Sequence, residues 1–127
     1  MRALLILCEP RHAAQARDHL RKFAHPQTIG VTAEVLEVSL DLEKGDEQRK
    51  VSNWFYDHRK FAPSGCLIAA PKEIAMRLSL EGLSAPMGFE LQITSADALA
   101  RPSNKRDPYW KTLVRRCELD LVTASAT

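Results

Sequence analysis

The side chains able to do chemistry cluster at a few places. Cys8, Glu9, Arg11 and His12 follow the first apolar run, and Lys72 and Glu73 follow a later one. A carboxylate, an imidazole and cations gathered at the ends of buried runs could hold a phosphate or carboxylate group, with His12 or Glu9 as acid or base and Arg11 and Lys72 as electrostatic clamps. The same residues also suit solvated helix starts, so both readings stand. A further group is basic and aromatic. Arg101, Lys105, Arg106, Lys111, Arg115 and Arg116 are interleaved with Tyr109 and Trp110 and opposed only by Asp107. Such a segment can pair its cations with phosphates while its rings stack on bases or on another protein. It equally describes a solubilising extension whose Trp110 packs onto the domain.

Other chemistry is harder to build from these residues. The histidines, at 12, 19, 25 and 58, have no ligand spacing with another suitable donor. His19 and His25 fall on or near the polar side of a helical stripe and read as surface residues, whereas His58 falls at a core-facing step. Cys8, Cys66 and Cys117 are odd in number, far apart and without a C-x-x-C pair, which argues against a disulfide framework or structural zinc and for a reducing, cytoplasmic compartment. Cys8 would have a lowered thiol pKa if exposed near a helix start, and would behave as a small apolar residue if buried. Ser64-Gly65 precedes a strand instead of following one, unlike a nucleophile elbow, and no glycine-rich phosphate loop is present. No metal and no cofactor is expected, and the balance leans away from an enzyme.

The elements that must position these groups can be read from hydropathy. Ala3-Leu4-Leu5-Ile6-Leu7-Cys8 and Cys66-Leu67-Ile68-Ala69-Ala70 are apolar at every position, as strands covered on both faces are. The first is too short to cross a bilayer and lacks a small-residue cleavage pattern, so it reads as a strand and not a signal peptide. Pro10 opens a helix with Ala13, Ala16, Leu20, Phe23 and Ala24 on its inner face, ending near His25-Pro26. Residues 31–42 alternate, but the apolar phase slips at Val35-Leu36; a bulge, a passage between packing environments and cover on both sides each explain it. Residues 46–61 form a helix with Val51, Trp54, Phe55, His58 and Phe61 on one stripe. A further helix starts at Pro71 and ends near Gly82. Residues 87–94 alternate as an edge strand with one wet face. Residues 109–121 form a last short helix.

Alternating strands and helices predict a single three-layer α/β domain with a largely parallel four-stranded sheet and helices on both faces. The two wholly apolar strands lie side by side in the centre, which gives the order 2-1-3-4. Winding reverses between the first and third strands, so a crevice opens at their carboxyl ends, where Glu9, Arg11, His12, Lys72 and Glu73 are expected together. Residues 1–100 make the domain and residues 101–127 a basic, aromatic extension packed on it. The 127-residue length suits one core, and the net charge of +2 by itself predicts neither a nucleic-acid nor a membrane partner.

Two family resemblances bear on this. A strand ending in Glu9 and running into a helix resembles the opening of the Toprim fold of topoisomerases and primases. The paired aspartates that this fold needs after a later strand to bind magnesium are replaced here by Ala69-Ala70-Pro71-Lys72, so no metal-dependent nuclease site is expected. The run 61–83, centred on Cys66-Leu67-Ile68-Ala69-Ala70-Pro71-Lys72-Glu73, resembles a block of the bacterial host-attachment protein family, which is similar to the middle domain of archaeal and eukaryotic peptide-chain release factors. The chain departs from that family in following its first strand with a helical stripe instead of a hairpin. The resemblance implies a non-catalytic protein that contacts RNA or the translation machinery.

The expectation is therefore a small cytoplasmic binding or adaptor domain, contacting RNA or a protein partner through Arg101 to Arg116, with an anionic-ligand crevice at Glu9, Arg11, His12, Lys72 and Glu73. An enzyme acting on a nucleotide or other phosphorylated substrate in that crevice is the alternative. A homodimer formed through the half-wet edge strand is a third possibility.

Overall fold

The structure, a computed structural model, describes residues 3–23, 32–41, 44–59, 66–101 and 108–113. Strand β1 (Ala3–Cys8) leads into helix α1 (Pro10–Phe23), β2 (Thr32–Glu37), α2 (Lys44–Asp57) and β3 (Cys66–Pro71). Helices α3 (Lys72–Arg77) and α4 (Leu80–Met87), strand β4 (Glu90–Thr94) and α5 (Ala96–Ala100) follow. Residues 108–113 are also helical. The four strands form one sheet in the order β2-β1-β3-β4, and every pairing is parallel.

The apolar runs account for the centre of this sheet. Every residue of β1 and β3 is buried, and the two strands pair directly, with Ala3 opposite Cys66 and Ile6 opposite Ala69. Alternate residues of each strand feed opposite faces. Leu5, Leu7, Ile68 and Ala70 pack under Val51, Trp54 and Phe55 of α2, under Ile74 of α3 and Leu80 of α4, and under Leu78 between those two helices. On the other face Leu4, Ile6, Leu67 and Ala69 pack under Ala13, Ala16 and Leu20 of α1, with Leu99, Trp110 and Leu113 completing the cluster. Helices thus cover both faces. Burial of this kind contributes roughly 1.5–3 kcal/mol for each large apolar side chain, so the sheet centre carries most of the stabilisation.

Several element boundaries differ from the sequence expectation, each for a local reason. Strand β2 runs without a bulge, in unbroken register from Ala3–Thr32 to Cys8–Glu37. Ala33 and Val35 face α1, whereas Leu36, Val38 and Leu40 face α2, so the phase slip is a passage from one packing face to the other. Helix α2 ends at Asp57, short of the expected stripe, and Phe61 lies outside the described residues. The helix after Pro71 is two helices: Ser79 adopts the left-handed region at φ 52° and breaks the chain between α3 and α4, leaving Gly82 inside α4. Strand β4 begins at Glu90 because Met87 still belongs to α4, which Gly88 terminates at φ 77°.

Helix α5 falls where the sequence reading had no element. Its signal was a capping serine: Ala98 N–H donates to Ser95 Oγ at 3.1 Å, and Asp97 lies in the first turn. Among the described residues no helix is long and apolar enough to cross a membrane.

Candidate functional site

Because β1 and β3 are adjacent and parallel, the chain segments leaving them emerge at the same end of the sheet. Continuing their register beyond Ile6 and Ala69 places Glu9 level with Lys72. The predicted crevice residues are therefore brought to one rim, but their contacts stay within each segment. Arg11 reaches back to Glu9, Nη2 to Oε2 at 2.9 Å. The His12 backbone N–H donates to the Glu9 carbonyl at 2.9 Å, opening α1. Lys72 and Glu73 are exposed in the first turn of α3. Among the described residues no hydrogen bond or ion pair joins the Glu9–Arg11–His12 group to the Lys72–Glu73 group. Glu9 is held by Arg11, and among the described residues no His12–carboxylate pair is formed for proton transfer.

Lys72 and Glu73 instead line a cavity of about 300 Å³ with Thr94, Ser95, Ala96 and Asp97. It sits at the carboxyl ends of β3 and β4, one strand further along than the expected crevice. The Thr94 hydroxyl is buried there without a hydrogen-bond partner, and one lysine is set against two carboxylates. Sequence reasoning missed Thr94, Ser95 and Asp97, because it placed no helix after β4 and so had no reason to look for a rim there.

Cys8 is fully buried at the end of β1. Burial pushes its thiol up to about 11, with Arg17 opposing and Glu37 and Glu9 adding to the rise. The thiol is therefore protonated at neutral pH and packs as a small apolar residue, the second of the two readings offered by its position. No group of three or more His, Cys, Asp or Glu side chains able to hold a metal ion occurs among the described residues.

The basic segment contains a correction. Trp110 does not offer a free ring for stacking on a partner, because it is 0 % exposed. Its indole lies against the His19 ring at 4.5 Å between centroids and 5° between planes, and its Nε1–H donates to the Ala98 carbonyl at 3.2 Å. His19 is correspondingly no surface residue. Position 19 borders the Ala13–Ala16–Leu20 stripe, and α5 together with the 108–113 helix extends the covered face to include it. Its Nε2–H donates to the Arg101 carbonyl at 3.2 Å, which fixes the start of the basic segment to α1. Tyr109 is half-buried and meets the Trp110 ring edge-on. Arg101 and Lys111 are exposed, while Lys105, Arg106, Arg115 and Arg116 lie outside the described residues.

His58 is half-buried, stacked on Trp54 at 3.9 Å between centroids, with its Nδ1 2.9 Å from the Trp54 carbonyl. Trp54 Nε1–H donates in turn to the Glu34 carboxylate. This group holds α2 against β2.

A scan against protein-family models and searches of curated proteins and of solved structures found no match to the chain.

Proposed function

We propose that this chain is a non-catalytic binding module that engages RNA through its basic segment, Arg101 to Arg116. The observation that carries the reading is the anchoring of Trp110. Stacked on His19 and hydrogen-bonded to Ala98, it ties the segment to the domain at its middle, so Arg101 and Lys111 are held on a folded surface instead of a trailing chain. Holding cations in place lowers the ordering entropy of binding a polyanion, and six basic residues opposed by one acid supply the charge.

The test is the affinity of the full chain for a labelled single-stranded RNA of mixed sequence, measured over a salt series. Affinity is expected to fall steeply with salt. Lys111→Glu should weaken binding and reduce the slope of log affinity against log salt by about 1, as loss of one phosphate contact does. Absent or salt-insensitive binding would remove the RNA reading.

An enzyme acting on a phosphorylated substrate is the second reading, and the cavity lined by Lys72 is what favours it. Two carboxylates beside that lysine, and a Glu9 already paired with Arg11, weigh for the binding module. Should the protein turn over a phosphorylated compound, and Lys72→Ala abolish that turnover, the enzyme reading replaces ours.

A further inference from the structure

Three charged side chains border the cavity at the carboxyl ends of β3 and β4, and the fold pairs none of them. Lys72, Glu73 and Asp97 all line it, yet among the described residues no ion pair or hydrogen bond joins any of their side chains to another group. Elsewhere neighbouring opposite charges do meet: Arg11 with Glu9, Arg17 with Glu37 and Arg21 with Asp18. Here one cation and two carboxylates border a single space without closing on each other, so both signs of charge stay open to a molecule that enters it.

The wall between them is polar and unsatisfied. Thr94 is only 9 % exposed, and its buried hydroxyl has no hydrogen-bond partner. Leu91 packs against the cluster beneath α2, α3 and α4, so alternation along β4 turns Thr94 to the other face, which α1 and α5 cover. Continuing the β3–β4 register past Pro71 and Thr94 sets Lys72 level with Ser95. Ser95 Oγ accepts from the Ala98 N–H and keeps its own proton for a further bond. A buried hydroxyl without a partner costs stability, and a bound molecule that bonded it would remove that cost.

The charges decide which kind of molecule fits. An isolated anion such as phosphate meets two carboxylates for one lysine, and like charges set side by side disfavour it. A simple amine meets the lysine. A free amino acid carries both signs on one carbon, its carboxylate matching Lys72 and its ammonium a carboxylate. A basic amino acid adds a second cation, so its two cations and one anion mirror the cation and two anions of the lining. The volume of about 300 Å³ lies at the lower end of the roughly 300–1,000 Å³ range of ligand pockets, which suits so small a molecule.

We propose that this cavity binds a free amino acid, basic ones in preference, with Lys72 holding the carboxylate, Glu73 and Asp97 the cations, and Thr94 and Ser95 the remaining polar atoms. No lining residue belongs to the basic segment, so the RNA reading stands or falls separately.

The test is isothermal titration calorimetry of the full chain with L-arginine, L-lysine, L-alanine, L-glutamate, propionate, ethylamine and inorganic phosphate. Arginine or lysine should bind best and alanine less tightly. Glutamate, propionate, ethylamine and phosphate should each bind at least about tenfold more weakly than the best ligand, the loss of one charge-assisted bond. Lys72→Ala should weaken every amino acid about tenfold by the same reasoning, whereas Asp97→Asn should reduce the preference for arginine over alanine. Thr94→Val keeps the shape and removes only the hydroxyl. It should weaken binding about fivefold while the melting temperature of the unliganded protein stays unchanged or rises, which a merely structural hydroxyl would not allow. No binding of arginine or lysine, tighter binding of phosphate or glutamate, or an affinity indifferent to Lys72→Ala and Thr94→Val would each overturn the proposal.

Discussion

Trp110 and Trp54, one on each face of the sheet, both lie against a histidine ring, yet the two pairs hold the molecule in different ways. Trp54 and His58 are one turn apart on and just beyond α2, and the His58 Nδ1 contact returns to the Trp54 carbonyl itself. That pair is local. Trp110 and His19 are far apart in the chain, both fully buried, and their hydrogen bonds run to Ala98 and Arg101. The first pair joins neighbours at one helix end, with the Trp54 bond to Glu34 reaching β2, whereas the second ties α1, α5 and the start of the basic segment into a single cluster. Similar ring stacking therefore differs in reach: between side chains one turn apart on one face, and between distant segments on the other.

The largest expected effect separates the two tryptophans. Trp110→Ala should cost about 5 kcal/mol and Trp54→Ala about 3 kcal/mol, the upper and lower ends for removing a buried aromatic ring. The reason is that only Trp110 is wholly excluded from solvent and satisfies a buried carbonyl of another element. Urea denaturation measures both, and equal losses would mean that the long-range tie adds nothing beyond burial. Trp110→Ala should also make the basic segment the first site of limited proteolysis.

A smaller contrast is expected at the histidines. His19→Ala leaves the Arg101 carbonyl without that donor and opens a void under Trp110, for about 2 kcal/mol. His58→Ala removes a half-buried ring from the end of a helix, for about 0.5 kcal/mol. Reversed sizes, in the same urea series, would overturn the assignment of the tie to the α1 face.

The α1 face should also show a dependence on alkaline pH. In the unfolded chain the Cys8 thiol ionises near its ordinary 9.0, and in the folded protein burial holds it to about 11. The folded state thus binds the proton more tightly, so this contribution is complete below about pH 9 and is lost as pH rises toward 11. Thermal unfolding of the native protein and of Cys8→Ala across that window checks it: the variant should lose less stability, and identical slopes would mean that the thiol does not titrate differently on folding.

Much of the scaffold was legible in the residues. Unbroken apolar runs at Ala3–Cys8 and Cys66–Ala70 can be satisfied only by cover on both faces, and two such strands in an alternating chain leave few arrangements besides a central parallel pair. The candidate site was less so. Glu9 and Lys72 follow from the strand ends, but Thr94, Ser95 and Asp97 required knowing that α5 folds back at the end of β4. His19 was misread because helical periodicity gives the direction of a side chain and says nothing of what a later segment will lay over it. The phase slip in β2 was visible as an anomaly, and only the positions of α1 and α2 on opposite faces gave it a cause.

The sequence by itself determined the layer architecture, the strand order and the end of the sheet where charged groups gather, since hydrophobic period and element order are properties of neighbouring residues. Tertiary structure alone decided that Trp110 is an anchor and not a stacking platform, and that Cys8 is an inert thiol. Each of those outcomes depends on which distant segment covers a surface, and contacts between distant segments are fixed by packing, not by local pattern.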